Sequence, residues 1–424
     1  MSTSINQQVV AAPTQTCDAE LAKGPWEFDA FPGYGPGASE LDVIPDPVVR
    51  RGQLPVEYQK ADEADLHRRI AAAKATLGDK VVILGHHYQR DEVVQYADFV
   101  GDSFQLANEA LTKPDAETIV FCGVHFMAET ADILAREGQR VILPNLAAGC
   151  SMADMADEDS VEDCWEQLTE LFGTEPDTGT SGTDQKVPII PVTYMNSSAA
   201  LKAFCGRNGG IVCTSSNADT VLEWAFERGH RVLFFPDQHL GRNTAKAMGI
   251  PLEQMPTWVP RRELGGNTEQ QLRDAKVLLW NGFCSVHKRF TVEQIEQARA
   301  SYPGCKVIVH PESPMPVVDA ADASGSTAGI AKYVAGCAPG DVIAIGTEIN
   351  MVNRLAAQYP DRTIFCLDPV ICPCSTMYRI HPGYLAWTLE SLVAGEVNNQ
   401  IVVDDDVARD AKIALERMLA ALPK

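Results

Sequence analysis

One unit recurs along this chain and leaves few folds open to it. It is a short, nearly continuous apolar run, rich in β-branched residues, that ends in small or polar ones. Ten segments fit: KVVILG (80–85), TIVFCG (118–123), RVILPN (140–145), VPIIPVTY (187–194), GIVCTS (210–215), RVLFFP (231–236), KVLLWNG (276–282), KVIVHPE (306–312), DVIAIG (341–346) and RTIFCLDP (362–369). Helix-like stretches lie between most of them. Examples are EADLHRRIAAAKATLG, ending near Gly78, then VVQYADFVGDSFQLANEALT, ADTVLEWAFERG, TVEQIEQARASY and TAGIAKYVAG. Strands apolar on both faces, alternating with helices, predict an α/β protein with parallel sheets covered on both sides.

A (β/α) barrel is the main rival to several small sheets. The strand–helix blocks fall into three runs, near 65–150, 187–280 and 300–400, which favours several units. The predicted organisation is an extended lead-in over 1–60, rich in Gly and Pro, and a first α/β domain over 61–152. An acidic, turn-rich insertion over 153–186 follows, then a second domain over 187–290 and a third over 291–424 that includes a C-terminal helix.

The chain of 424 residues carries a formal charge of -22, which repels a phosphate backbone and argues against nucleic acid as a main partner. Its twelve cysteines are too sparse for a disulfide scaffold. The opening residues lack a basic, then apolar, signal pattern, and no uninterrupted apolar run reaches membrane-spanning length. The expectation is a cytoplasmic protein with reduced thiols and no membrane partner.

Polar residues crowd the ends of the strands, where parallel sheets bind ligands. KVVILG is followed by His86, His87 and Tyr88, RVILPN by Cys150, and VPIIPV by Tyr194 and Asn196. Thr214, Ser215, Ser216 and Asn217 follow GIVC, Asp237 and His239 follow RVLFFP, and Cys284 and His287 follow KVLLWNGF. His310 and Glu312 follow KVIV, and Cys372 and Cys374 follow RTIFCLDPVI. Singly, such a His or Cys is more often structural, and Thr-Ser-Ser-Asn more often a helix cap. Repetition along one rim has no structural need. Isolated cysteines in three separate runs could converge on an iron–sulfur cluster with three thiolates and one open iron, a Lewis acid suited to dehydration. Spacing leaves zinc or plain buried thiols as alternatives.

With those residues in view, the chain resembles the quinolinate synthase family of de novo NAD biosynthesis. The resemblance rests on ILGHHYQRDEVVQYADFVGDS, FMAETADIL, LPNLAAGCSMAD, YMNSSAALKA, CTSSNA, FFPDQHLG, NGFCSVH, HPESP, GSTAGI, IGTE and CSTM, in the family order over roughly 80–380. It implies three similar three-layer α/β domains around a pseudo-threefold axis, with the active site at their junction. It also implies a [4Fe-4S] cluster on Cys150, Cys284 and Cys374, and condensation of iminoaspartate with dihydroxyacetone phosphate to quinolinate, phosphate and two waters. The matching positions for substrate are His86, Ser103, Tyr194, Met195, Asn196, Ser215, His310, Pro311, Glu312 and Thr327. Tyr88 matches a tyrosine implicated in proton transfer, and Glu312 and His86 are the further catalytic candidates, since protons have to move on and off carbon. Another [4Fe-4S] hydro-lyase of the same architecture is the alternative, but it should lack Y-x-N and H-P-E together. An aspartate oxidase or dehydrogenase is the implied supplier of the imine, which hydrolyses in water.

Two departures from the family pattern stand out. Gly85 replaces a usual alanine before His86. Asp368 and Ile371 stand where some members carry cysteines upstream of the third ligand, which puts a disulfide there in doubt.

Overall fold

The computed structural model describes residues 54–113, 115–174, 186–370 and 373–421. Most of the lead-in read over 1–60, residues 175–185 of the acidic stretch, Ile371 and Cys372 lie outside the described residues.

All ten apolar runs form strands, gathered into three sheets. The first holds β1 (Val81–His86), β2 (Phe99–Gly101), β3 (Thr118–Cys122) and β4 (Arg140–Ile142) in the spatial order β2-β1-β3-β4. The second holds β5 (Val187–Tyr194), β6 (Ile211–Cys213), β7 (Gly229–Phe235), β8 (Thr257–Trp258) and β9 (Val277–Trp280), ordered β6-β5-β7-β9-β8. The third holds β10 (Lys306–Val309), β11 (Ala323–Ser324), β12 (Val342–Gly346) and β13 (Thr363–Cys366), ordered β11-β10-β12-β13. These pairs are all parallel. Each sheet sets its second strand at an edge, then its first, then its third. The same wiring three times over replaces the barrel rival with three α/β units, as expected from the three runs. Burial explains the apolar runs: Val82, Ile83 and Leu84 of β1 and Ile119, Val120 and Phe121 of β3 are all buried, so neither face of these strands meets water.

Three segments differ from the sequence reading. VVQYADFVGDSFQLANEALT is not one helix. Helix Asp91–Val94 gives way to β2, which pairs with β1 through Leu84↔Phe99 and His86↔Gly101, before helix Ser103–Leu111 begins. Asp102 starts that second helix by accepting the amides of Phe104 (3.1 Å) and Gln105 (2.9 Å). The acidic stretch after 153 is largely helix, Glu158–Phe172, capped by Asp157 and burying Val161, Cys164 and Leu168. Its apolar positions recur at helical spacing, so the acidic residues occupy the outer face.

The third correction concerns 382–421, read as the end of the third domain. Helix Pro382–Val393 packs on helix Glu63–Leu77 of the first unit, where Glu390 accepts from Arg69 (2.9 Å) and Tyr58 (2.7 Å). Strand β14 (Gln400–Ile401) joins the first sheet, antiparallel to β4. Helix Asp405–Ala421 buries Ala411, Ala414, Leu415 and Met418 and lies against helix Ala199–Arg207 of the second unit. The C-terminal segment is therefore a strap over the first two units, and the third sheet closes at β13.

That strap needs a glycine. A Cβ on Gly206 would stand 1.9 Å from the carbonyl oxygen of Asp410, whereas one on Gly336 meets nothing within 4 Å. Gly206→Ala should lower stability to urea by about 1–3 kcal/mol through overpacking. Gly336→Ala should not lower it, and equal midpoints for the two variants would refute the close docking.

Candidate active site

The carboxyl ends of the strands from all three sheets surround one cavity of about 700 Å³, counting its open mouth. It is lined at equivalent places in the three units. At or just past the end of each first strand come His86 and Tyr88, Tyr194 and Asn196, and His310 and Glu312. After each second strand come Ser103, Ser215 and Thr327. After the parallel strand on the far side of each third strand come Cys150, Cys284 and Cys374. Met195 also lines the cavity. Of the residues matched to the family, Pro311 alone does not line it; its carbonyl instead accepts from Asn243 Nδ2 at 2.8 Å, and of the other strand-end residues His87, Ser216, Asn217, Asp237 and His239 do not line it either.

The two histidines that end first strands share one local device. His86 Nδ1 takes the amide of Tyr88 at 3.1 Å, and His310 Nδ1 takes the amide of Glu312 at 3.3 Å. Each bond assigns the ring proton to Nε2 and fixes the ring. Burial holds both histidines below their usual range, His310 at about 3, so both are neutral donors near pH 7. Gly85, the departure before His86, is tightly enclosed: a Cβ there would come within 2.7 Å of Val94 Cγ2 and 2.9 Å of Ala97 Cβ.

A chain of hydrogen bonds crosses all three units. Tyr194 donates to Glu312 Oε1 (2.7 Å), and Glu312 Oε2 bonds His287 Nδ1 (2.8 Å). His287 Nε2 lies 3.3 Å from the hydroxyls of Tyr88 and Thr347, which are themselves 2.8 Å apart. His287 and His310 stack with centroids 4.4 Å apart. Burial alone would raise the Glu312 carboxyl. The neighbouring His310 and His287, with the hydrogen bonds of His287 and Tyr194, outweigh it and hold Glu312 low and ionised. Because His310 is itself neutral, the two hydrogen bonds give the firmer account of that charge. Burial, and then Glu312, push Tyr88 well above the ordinary phenol range, so its hydroxyl keeps its proton.

His287, noted from the sequence only as a polar residue after a strand, and Thr347, not singled out there, complete this chain. Both lie in segments that carry the resemblance, NGFCSVH and IGTE. Thr214, from the polar run after GIVC, also lines the cavity, as do Asp102, Phe104, Val124, Phe126, Met127, Met152, Thr376 and Met377, whose side chains carry no distinctive sequence pattern.

All ten cysteines within the described residues are free. Cys150, Cys284 and Cys374 are part-exposed and line the cavity, whereas Cys366 lies in β13 with its thiol toward the Thr347 carbonyl (3.8 Å). Burial pushes the Cys150 thiol up to about 12 and raises those of Cys284 and Cys374 as well. Cys374 adds to the rise at Cys150, and both add to that at Cys284, so the three sulfurs lie within one another's field. Three thiols facing one space from three units fit a cluster with three protein ligands, since a metal replaces the protons that burial retains. Asp368, at the departure upstream, pairs with Arg289 (2.9 Å) instead.

A family model described as quinolinate synthetase A protein matches residues 68–420. The chain belongs to that family. It is 71% identical over 390 residues to the quinolinate synthase of Corynebacterium glutamicum, covering 92% of this chain and 96% of the relative. It is 53% identical over 374 residues to that of Rhodopirellula baltica, covering 86% and 92%, and 52% identical over 397 residues to that of Streptomyces coelicolor, covering 90% and 98%. Membership places the chain among enzymes of quinolinate synthesis in NAD formation. No helix among the described residues is long and apolar enough to cross a membrane.

The neutral histidines make stability depend on pH. Burial depresses both His239 and His310 from 6.5 to about 3. Below 6.5 the unfolded chain binds protons that the folded chain refuses, so stability is full above that pH and is lost as pH falls toward 3. Each group accounts for up to about 1.4 kcal/mol per pH unit in that window. Urea midpoints of the metal-free chain should fall from pH 6.5 to 5, and more shallowly in His239→Leu. An unchanged slope in that variant would contradict the burial of a neutral His239.

Proposed function

We propose that this member of the quinolinate synthetase A family condenses iminoaspartate with dihydroxyacetone phosphate to give quinolinate, phosphate and two waters. Cys150, Cys284 and Cys374 hold a [4Fe-4S] cluster in this reading. The observation that carries it is the meeting of three cysteines, one from each unit, with the Tyr194–Glu312–His287–Tyr88 chain at one cavity. When bound, the cluster supplies an iron with an open position, a Lewis acid toward substrate oxygen.

The atoms of this reaction balance without an oxidant, so the chain has to supply anion binding and proton transfer. Both substrates are anionic. Ser103, Ser215, Thr327 and Asn196 offer hydroxyl and amide donors, and His86 and His310 offer Nε2–H. Thr327 opens helix Thr327–Gly336, and Ser215 lies just before helix Ala218–Arg228, where exposed amides favour a phosphate or carboxylate. Met195, Val124, Phe126 and Met127 give the cavity apolar wall, which limits water around a hydrolysable imine.

Protons have to leave and return to carbon during condensation and ring closure. Ionised Glu312, bonded to His287, is the base, and protonated Tyr88 on the far side of His287 is the acid. A proton taken on one side of the imidazole can be returned from the other by exchange of the ring tautomer. Tyr194 keeps Glu312 oriented, and Thr347 does the same for Tyr88. The imine is supplied by an aspartate-oxidising enzyme acting in the same compartment, which we take to be the cytoplasm.

The deciding experiment is an anaerobic assay for quinolinate from freshly generated imine and dihydroxyacetone phosphate, with iron and sulfide counted on the same protein. About four of each per chain is expected. Cys374→Ser should lose both iron and activity, while Cys372→Ser should keep most of each. Zinc in place of iron, or an intact cluster in Cys374→Ser, would overturn the ligand assignment. Tyr88→Phe should keep the cluster and lower kcat by about 10²–10⁴. A wild-type kcat there would remove Tyr88 from the proton path.

A further inference from the structure

Three of the donors around the cavity come closer together than any role above requires. A sulfur of Cys284, a ring nitrogen of His287 and a carboxylate oxygen of Glu312 all lie within 4.8 Å of one another. Cys284 and His287 occupy one turn, closed by the Lys288 amide on the Cys284 carbonyl at 3.0 Å, while Glu312 arrives from the third unit. The side chains of His287 and Glu312 are 1% and 3% exposed.

We propose that Cys284, His287 and Glu312 form a second metal site, which takes a single zinc-like divalent ion when the cluster is absent and thereby blocks cluster assembly. The ion site rests on these three side chains alone; the block rests on the cluster reading given above.

The donor set selects the ion. One thiolate, one imidazole and one carboxylate are borderline donors of the kind that hold zinc with a fourth position open, whereas magnesium and calcium want oxygen throughout. Charge also favours it. A dication with one thiolate and one carboxylate is neutral, which suits a buried place better than three thiolates and a net negative charge.

The outer partners are already present. With Glu312 Oε2 on the ion, Oε1 keeps the Tyr194 hydroxyl at 2.7 Å. With His287 Nδ1 on the ion, Nε2 keeps Thr347 and Tyr88 at 3.3 Å. Such partners orient ligands and raise affinity. The His287–Glu312 contact of 2.8 Å has to open to about 3.4 Å to admit a tetrahedral ion, a small movement of two side chains. Binding releases the Cys284 thiol proton to solvent and shifts the His287 ring proton to Nε2. No electron is transferred. Cys284 is then no longer available to share a cluster with Cys150 and Cys374.

Cobalt(II) tests the site, because it follows zinc geometry and shows a thiolate charge-transfer band. Full-length protein, stripped of iron anaerobically, should bind one cobalt per chain with that band. The band should persist in Cys150→Ser and Cys374→Ser and vanish in Cys284→Ser. Affinity should fall at least about tenfold in both His287→Ala and His287→Gln, the second keeping bulk should the first fold poorly. Zinc-loaded protein, given iron and sulfide, should rebuild far less cluster than zinc-free protein. Loss of the band in Cys150→Ser or Cys374→Ser would move the ion to the three cysteines and overturn the proposal, as would no cobalt uptake by wild type. If zinc-free protein binds cobalt as described yet assembles no cluster, the ion site stands and the cluster reading falls.

Discussion

A carboxylate removed from water costs several kcal/mol unless donors replace the lost hydration. Glu312 is nearly without solvent contact, and both of its strongest donors, Tyr194 and His287, belong to the second unit rather than its own. Tyr88, from the first unit, meets His287 on the far side. One buried charge therefore ties three separately wired sheets to a common point. Cutting either donor would leave the charge under-solvated and loosen the contact between units. The same bonds that keep the carboxylate ionised link the groups proposed as the acid–base pair, so in that proposal cohesion and chemistry share one set of atoms.

The repetition of sheet order explains how so small a region collects so many polar groups. In each unit the first strand is flanked by the second and third, and parallel strands point their carboxyl ends the same way. Three such units facing inward deliver three first-strand ends, three second-strand ends and three cysteines to one space. The units have then diverged by side chain: His-x-Tyr, Tyr-x-Asn and His-x-Glu occupy equivalent places. The histidines of the first and third units keep the same backbone lock, while the second unit presents a tyrosine that reaches Glu312.

The C-terminal strap shows a different economy of contact. The helices Pro382–Val393 and Asp405–Ala421 cover the first and second units, and the intervening β14 extends the first sheet. The only antiparallel strand pair in the described sheets is therefore made by a returning chain end. Arg417 reinforces this docking by donating to the carbonyls of Gly206 (3.2 Å) and Gly210 (2.7 Å).

The strands were legible because their signal is local: a two-sided buried strand has to be apolar throughout, and turns have to bound it. The candidate cysteines and most cavity residues were legible for a related reason, since they lie in the segments beyond the carboxyl ends of strands and most sit in segments that resemble a known family. Sequence by itself thus determined the ten apolar strands, the α/β class and the list of groups offered at the strand ends, but not the two-residue strands β8, β11 and β14. It did not determine β2, whose three residues take their conformation from pairing with β1, nor the destination of residues 382–421, whose apolar face fits several partners equally until the sheets exist. It also placed His287 after a strand without giving it a role, and left Thr347 out, because a histidine three residues past a cysteine acquires its meaning only from Glu312, 25 residues away, and Tyr88, 199 away. Those pairings are decided by tertiary structure: hydrogen bonds between side chains distant in sequence require three sheets to be placed first, and no local propensity encodes that placement.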